Sequence, residues 1–327
     1  MSTSAKLALG FGVILLALAG WSVRKGDMPF VVTAHVFSIG LYGGSSPVDL
    51  RPLPGLEQPV FRAEAAGDKA IYQTADPFLF RKDSTWYLFF EAIRGDKVHW
   101  RQDHGVIGVA TSRDARSWTY GGVVLEEPFH MSYPQVFEWD GQVYMLPETG
   151  SASAVRLYRA EHFPRDWRLV ATLLEGKYAD PSIFRYADRW WMFAELSARG
   201  TNDTLRLYTA EDLLGPWTEH PRSPVVRGDP NIARPGGRVI VQGDRIFRFA
   251  QDDKPTYGNQ LWAFEITRLT PTEYAEKPVT AGPLLTASGR GWNALGMHHA
   301  DPHEVAPGEW IAVVDGIARR RFFGLGY

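Results

Sequence analysis

Short apolar runs closed by turn signals follow one another along this chain, and several alternate large and polar residues at a period of two. Trp86 to Glu91 shows the alternation well. Asp76 to Phe80 reads as the strand before it, Asp83-Ser84 as the turn between them, and Val106 to Ser112 and Trp118 to Leu125 as two strands more. A second set repeats the order: Pro134 to Trp139, Val143 to Glu148, Val155 to Ala160 and Trp167 to Leu174. Its first two runs flank Asp140-Gly141, a strong hairpin signal. A third set runs Pro181 to Tyr186, Trp190 to Glu195 and Leu205 to Ala210, continuing from Trp217. A fourth, more divergent, runs Gly237 to Val241, Ile246 to Gln251 and Gln260 to Ile266. The last shows only Pro302 to Val305 and Trp310 to Asp315, and no long helix is apparent.

These sets carry a common frame. An X-Pro dipeptide opens each: Asp76-Pro77, Tyr133-Pro134, Asp180-Pro181, Arg234-Pro235 and Asp301-Pro302. The second strand of each ends in an acid or amide, namely Glu91, Glu148, Glu195, Gln251 and Asp315. Self-similarity at about fifty residues is the mark of a β-propeller, so the expected fold is all-β with five blades. Val31 to Tyr42 resembles the outer strands and would complete the short last blade, removing the open sheet edge. A propeller brings the first strand of every blade to one axis, which would gather these scattered charges into one pocket.

Composition adds limits. The chain has 327 residues with 12 Trp, 13 Tyr and 18 Phe, which suits wide cross-strand packing. A formal net charge of −2 gives no basis for nucleic-acid partners. With no cysteine, disulfides, thiolate metal sites and a cysteine nucleophile are excluded. Residues 1–27 stand apart from the propeller expected over 28–327. Lys6 precedes an apolar run from Leu7 that includes Ala17-Leu18-Ala19, a signal-peptide pattern. Extended to Val23 the same run reaches the lower limit for a membrane-spanning tether through residues 7–23. Either way an extracytoplasmic domain, periplasmic or secreted, is expected.

Residues before proline favour extended backbone, so Asp76 and Asp180 are expected on stiff strand entrances facing the axis. Glu91, Glu148 and Glu195 occupy matching positions, either all inward or all buried between blades. Carboxylates crowded in one cavity raise each other's pKa, which suits a general acid. Arg234 could grip an anionic group or pair with Asp76 or Asp180 across the axis. Gln251, Asp252 and Asp253 either bond sugar hydroxyls or make a turn. Tyr133 and Trp292 either stack on sugar faces or pack the core. His130 precedes the second blade and would line the same pocket. His298, His299, Asp301 and His303 form the densest run of metal-ligating types, but their spacing matches no zinc signature. No metal or other cofactor is expected there; calcium is the ion an oxygen-rich site would favour. No nucleophile elbow, phosphate loop or dinucleotide fingerprint is present.

The blade pattern resembles the five-bladed propellers of glycoside hydrolase family 43, through Ala75-Asp76-Pro77-Phe78, Ala179 to Phe184 and Ser112 to Trp118. It is more similar to the N-terminal domains of plant glucosamine inositolphosphorylceramide transferases and their bacterial homologues. Thr74 to Phe80, His130 to Phe137, Ala233 to Gly237, Phe249 to Asp252 and Tyr257-Gly258 carry that likeness. The family 43 resemblance implies Asp76 as general base and Asp180 as pKa modulator. At the fourth-blade position of the family's acid stands Arg234, which cannot deliver a proton. The acid would then be Glu148 or Glu195. The expected function is glycosidase-like action on an extracytoplasmic glycan or glycolipid, with Arg234, Glu91, His130, Tyr133, Gln251, Asp252, His298, His299 and Asp301 contacting substrate. The alternatives are a glycan-binding or glycosyltransferase-accessory propeller, and phosphate-dependent transfer using Arg234.

Overall fold

The computed structural model describes residues 31–323 except 69, 96–103 and 197–199, together with residues 12, 13 and 20. The expected leader lies almost wholly outside the described residues, among which no helix is long and apolar enough to cross a membrane. Strand β1 (Val31–Ser46) pairs antiparallel with the last strand, β22 (Glu309–Phe323), from Val31↔Phe323 to Gly44↔Trp310. With β2 (Asp49–Pro52) and β21 (Ala300–Ala306) they form one sheet in the order β2-β1-β22-β21. The two ends of the fold thus share a blade, as the unpartnered Val31 to Tyr42 run implied.

The other strands sort into four more antiparallel sheets. Blade 1 holds β3 (Ile71–Lys82), β4 (Thr85–Arg94), β5 (His104–Ser112) and β6 (Thr119–Leu125). Blade 2 holds β7 (Ser132–Trp139), β8 (Gln142–Glu148), β9 (Ala154–His162) and β10 (Arg165–Glu175). Blade 3 holds β11 (Ala179–Tyr186), β12 (Arg189–Glu195), β13 (Thr204–Ala210) and the short β14 (Thr218–Glu219) and β15 (Val226–Arg227). Blade 4 begins with only three residues, β16 (Ile240–Gln242), where Gly237 to Val241 was expected. It continues through β17 (Arg245–Asp252), β18 (Gln260–Leu269), β19 (Tyr274–Pro278) and β20 (Leu285–Thr286). The Asp140-Gly141 turn has φ of 49° and 68°, as a tight hairpin between right-twisted strands requires.

Five apolar clusters fill the seams between neighbouring blades and close the ring. Phe61, Leu79, Phe90 and Val313 join blade 1 to blade 5, the β2-β1-β22-β21 sheet; Val109, Val136, Met145 and Tyr158 join 1 and 2. Leu157, Trp190 and Met192 join 2 and 3; Phe193, Leu207 and Ile246 join 3 and 4; Phe247, Leu261 and Val314 join 4 and 5. Each seam buries bulky side chains of two sheets, at about 1.5–3 kcal/mol for each large residue.

One backbone expectation is overturned. Asp76, Tyr133 and Asp180 are not extended but left-handed, with φ of 49°, 49° and 48°. At each the ladder slips, between Ala75 and Phe78, Ser132 and Gln135, and Ala179 and Ser182. Such bulges re-aim side chains, and a non-glycine residue held there costs on the order of 1–3 kcal/mol. Neighbouring blades oppose that cost by capturing the freed N–H groups. Asp76 N–H donates to Asp315 Oδ2 (3.2 Å) and Asp180 N–H to Glu148 Oε2 (3.3 Å).

Candidate functional site

The left-handed turns send Asp76 and Asp180 toward a cluster on the axis. Asp180 is fully buried. Its Oδ2 accepts from Arg234 Nε and from Gln251 Nε2, each at 2.6 Å, and its Oδ1 from Arg234 Nη2 at 3.4 Å. Arg234 Nη2 also reaches Glu148 Oε2 at 3.3 Å, and the guanidinium lies 5.3 Å from the Tyr257 ring centroid. Burial works to raise the Asp180 pKa, but Arg234 outweighs it and holds the carboxyl below its ordinary value. Glu148 goes the other way. Burial, reinforced by the Asp180 charge, lifts it well above the carboxylate range despite Arg234. One guanidinium thus serves two carboxyls unequally, leaving Asp180 charged and Glu148 inclined to keep a proton.

Asp76 belongs to the same cluster, near enough for the Asp180 charge to act on it. Its Oδ1 has no hydrogen-bond partner and lies 3.8 Å from His298 Nε2 and 3.9 Å from His299 Nδ1. Burial raises its pKa well above the ordinary value; His298 opposes this, while Asp180, Glu91 and Asp315 add to it. Asp315 Oδ1 accepts from His298 Nδ1 at 2.8 Å and from the His298 backbone N–H at 3.2 Å. Burial opposes the His298 charge, yet Asp315 and Asp76 raise its pKa to about 9. Beside them Glu91 Oε1 lies 3.0 Å from His130 Nε2, whose Nδ1 accepts the Gly105 N–H at 3.0 Å. That pattern assigns His130 the neutral tautomer with its proton on Nε2.

Asp76, His298 and Asp315 bring metal-ligating atom types closest together among the described residues. Both Asp315 oxygens and His298 Nδ1 are already engaged with one another or with backbone, so the group reads as a hydrogen-bond network.

Several expected contacts fall elsewhere. Tyr133 is fully buried, with its hydroxyl 2.8 Å from Ser182 Oγ, donating to Gly237 O or accepting Gly237 N–H. It ties three blades together and offers no face to a sugar. Trp292 packs onto the closing blade, where a Cβ on Gly40 would lie 2.5 Å from its ring. Asp301 is buried against Arg238 (2.7 Å) and His303 (2.9 Å), which overcome burial and hold its pKa low. Arg238 reaches on to Val136 O and Leu79 O, making this a structural tie. Asp252 spends its Oδ2 on Gln260 and Trp262 within blade 4. His299 is wholly buried against Phe78 and Tyr133, and burial lowers its pKa to about 4. Glu195 is buried at the end of β12, opposite Ala179. Arg234 is committed to two acids, so the expectation that it grips an anionic substrate loses ground.

Two members of the site carry no role in the sequence pattern. Asp315 is there only the terminal acid of the last set. Tyr257 follows β17 on a turn outside the repeat, and only the Tyr257-Gly258 likeness to the family marks it.

Residues 33–317 match the family model described as "Glucosamine inositolphosphorylceramide transferase 1, N-terminal". The chain belongs to this family. It is 35% identical over 315 residues to Glucosamine inositolphosphorylceramide transferase 1 of Oryza sativa subsp. japonica, covering 88% of this chain and 42% of the rice protein. The Arabidopsis thaliana protein of the same name is 31% identical over 300 residues, covering 86% and 39%. The chain therefore spans about two fifths of these relatives. Among solved structures, a family 117 glycoside hydrolase from Zobellia galactanivorans superposes with a TM-score of 0.53 at 16% identity, over 89% of this chain and 91% of that one. The catalytic domain of a Coprinopsis cinerea GH62 α-L-arabinofuranosidase gives 0.55 at 11% identity, over 76% and 92%. At such identities the likeness is one of fold. Together the family and these neighbours make the protein a five-bladed propeller of the glucosamine inositolphosphorylceramide transferase N-terminal family.

Proposed function

We propose that the axial site acts at a glycosidic bond of an extracytoplasmic glycan or glycolipid. Asp76 activates the attacking hydroxyl, Asp180 fixes the charge pattern, and Glu148 supplies a proton to the leaving oxygen. The observation that carries this reading is the opposed tuning of Asp180 and Glu148 by a shared Arg234, with the unpartnered Asp76 Oδ1 in the same cluster. Carboxyls pushed apart in pKa are how one site runs acid and base chemistry together. Asp180 and Asp315 are held charged opposite Arg234 and His298, while Glu148 and Asp76 incline to keep their protons. Relatives named for glucosamine make an amino-sugar glycoside the substrate class to test first. With Arg234 committed to Asp180 and Glu148, phosphate-dependent transfer is disfavoured. The leader would hold the domain outside the cytoplasm, by a tether or after cleavage.

A second reading, a glycan-binding accessory propeller, is favoured by Arg234 standing where family 43 has its acid and by the partial coverage of the relatives. Product release from amino-sugar glycosides and glycolipids, compared between wild type and Asp76→Asn, tests the first reading. Turnover that vanishes in the variant supports it. Binding with no turnover in wild type selects the second.

A further inference from the structure

Tyr257 is 45% exposed beside the site, while the groups it touches are closed off: His298 is 1% exposed and Asp315 fully buried. Its hydroxyl lies 3.2 Å from His298 Nε2, and His298 Nδ1 lies 2.8 Å from Asp315 Oδ1. We infer that Tyr257 is a substrate-contacting hydrogen-bond donor whose O–H is turned outward by a His298–Asp315 pair behind it. This rests on the carbohydrate reading above and adds to it a residue that neither the repeat nor the acid cluster identifies.

Donors and acceptors around His298 fix which way the Tyr257 proton points. The imidazole faces acids on three sides, Asp315 from β22, Asp76 from β3 and Asp253 from the turn after β17, with Asp180 farther across the axis. Arg234, over the Tyr257 ring, is the opposing cation. With the pKa of His298 at about 9, both ring nitrogens carry protons at neutral pH. Nδ1–H donates to Asp315, so Nε2–H fills a lone pair of the Tyr257 oxygen. The phenol must then aim its own proton away from His298, toward the open side. A sugar hydroxyl, ring oxygen or bridging oxygen there is the acceptor it fits.

The imidazole cannot swing out of this role. Phe37 stacks on it at 4.5 Å and 18°, and Tyr257 meets it edge-on at 5.2 Å and 85°. Gly258, at φ 69°, closes the remaining side; a Cβ there would lie 3.3 Å from the ring. A donor fixed in this way loses little entropy when it binds.

Two measurements on the full chain test the inference. Nitrogen-15 spectra of the histidines at pH 7 should show both His298 nitrogens protonated, with the Nε2 signal moving in Tyr257→Phe. A bare Nε2 at pH 7 would reverse the polarity and overturn the idea, whatever sugars do. Calorimetric titration with methyl glucosaminide and methyl glucoside is the second arm. Tyr257→Phe, which keeps the ring, should bind up to about tenfold more weakly. Wild-type affinity should fall as pH rises through about 9, with a flatter profile in the variant. Equal affinity in wild type and variant sinks the donor role while the carbohydrate reading stands. If neither glycoside binds wild type, the carbohydrate reading fails and the substrate contact goes with it.

Discussion

Asp315 accepts the backbone N–H of Asp76 at 3.2 Å, and Glu148 makes the same contact with Asp180 at 3.3 Å. In both cases the acid sits on the second strand of one blade and the recipient on the first strand of the next, Glu148 and Asp180 at strand ends, Asp315 and Asp76 within β22 and β3. The periodic acids therefore do structural work before any chemistry. Each takes up an N–H that a left-handed bulge has removed from its ladder, and so fixes the next carboxylate at the axis. The two acids differ in how much depends on them. Asp315 is fully buried and takes three donors, whereas the Glu148 side chain is 18% exposed. Asp315→Ala should destabilise more than Glu148→Ala, the latter by about 1–3 kcal/mol for the unpaired N–H. Urea midpoints compare them, and equal losses would refute the ranking.

Arg234 carries a different burden. Removing it by Arg234→Ala leaves Asp180 charged, fully buried and without its main partner, which should cost about 3–5 kcal/mol. Arg234→Ala combined with Asp180→Asn should recover much of that loss, because no uncompensated charge remains. A double variant no more stable than Arg234→Ala alone would mean the ion pair is not what the site leans on.

Five blades and their closure were legible because both depend on local patterns that repeat. The X-Pro openings, the terminal acids and the unpaired Val31 to Tyr42 run each recur or lack a partner in a way that a closed ring resolves. The convergence of Asp76, Asp180 and Glu148 followed from the same frame. What was illegible depends on tertiary partners. Asp301-Pro302 looks like Asp76-Pro77 in sequence, yet its ladder runs unbroken past Asp301 and Arg238 claims the carboxylate. The left-handed φ of Asp76 opposes the pre-proline preference and survives because Asp315 rewards it. Tyr257 lies outside the repeat altogether.

Tyr133 offers a check on one such correction. Tyr133→Phe keeps the ring but deletes the hydroxyl that joins Ser182 and Gly237. It should lower stability by about 1–3 kcal/mol and leave sugar affinity unchanged. A loss of affinity at unchanged stability would return Tyr133 to the binding surface.

Asp76 should trade stability for function. Its folded pKa lies above the unfolded value because burial penalises the charged form. As pH rises through the interval between the two, the unfolded carboxyl ionises while the buried one still holds its proton, and stability falls. Asp76→Asn removes that burden, so at pH 8 the variant should unfold about 1 kcal/mol harder than wild type while losing turnover. A variant both inactive and less stable would show that the carboxylate is needed for folding rather than poised for chemistry.

His298 produces a slope of the same direction through an opposite charge. Its folded pKa of about 9 exceeds the unfolded value near 6.5, so the folded state binds the proton more tightly. The stabilisation is complete below about pH 6.5 and is lost as pH rises through about 9, amounting to about 3 kcal/mol at most by that shift. His298→Gln keeps a donor toward Asp315 but cannot titrate. Its stability should be lower than wild type at pH 6 and lack the decline between pH 6.5 and 9 that His298 contributes. Asp76→Asn in the same background separates the two sources, since any slope left in His298→Gln and removed by the second change belongs to Asp76. Melting curves across that interval decide it: an unchanged wild-type slope in His298→Gln would mean the imidazole is neutral in the folded protein.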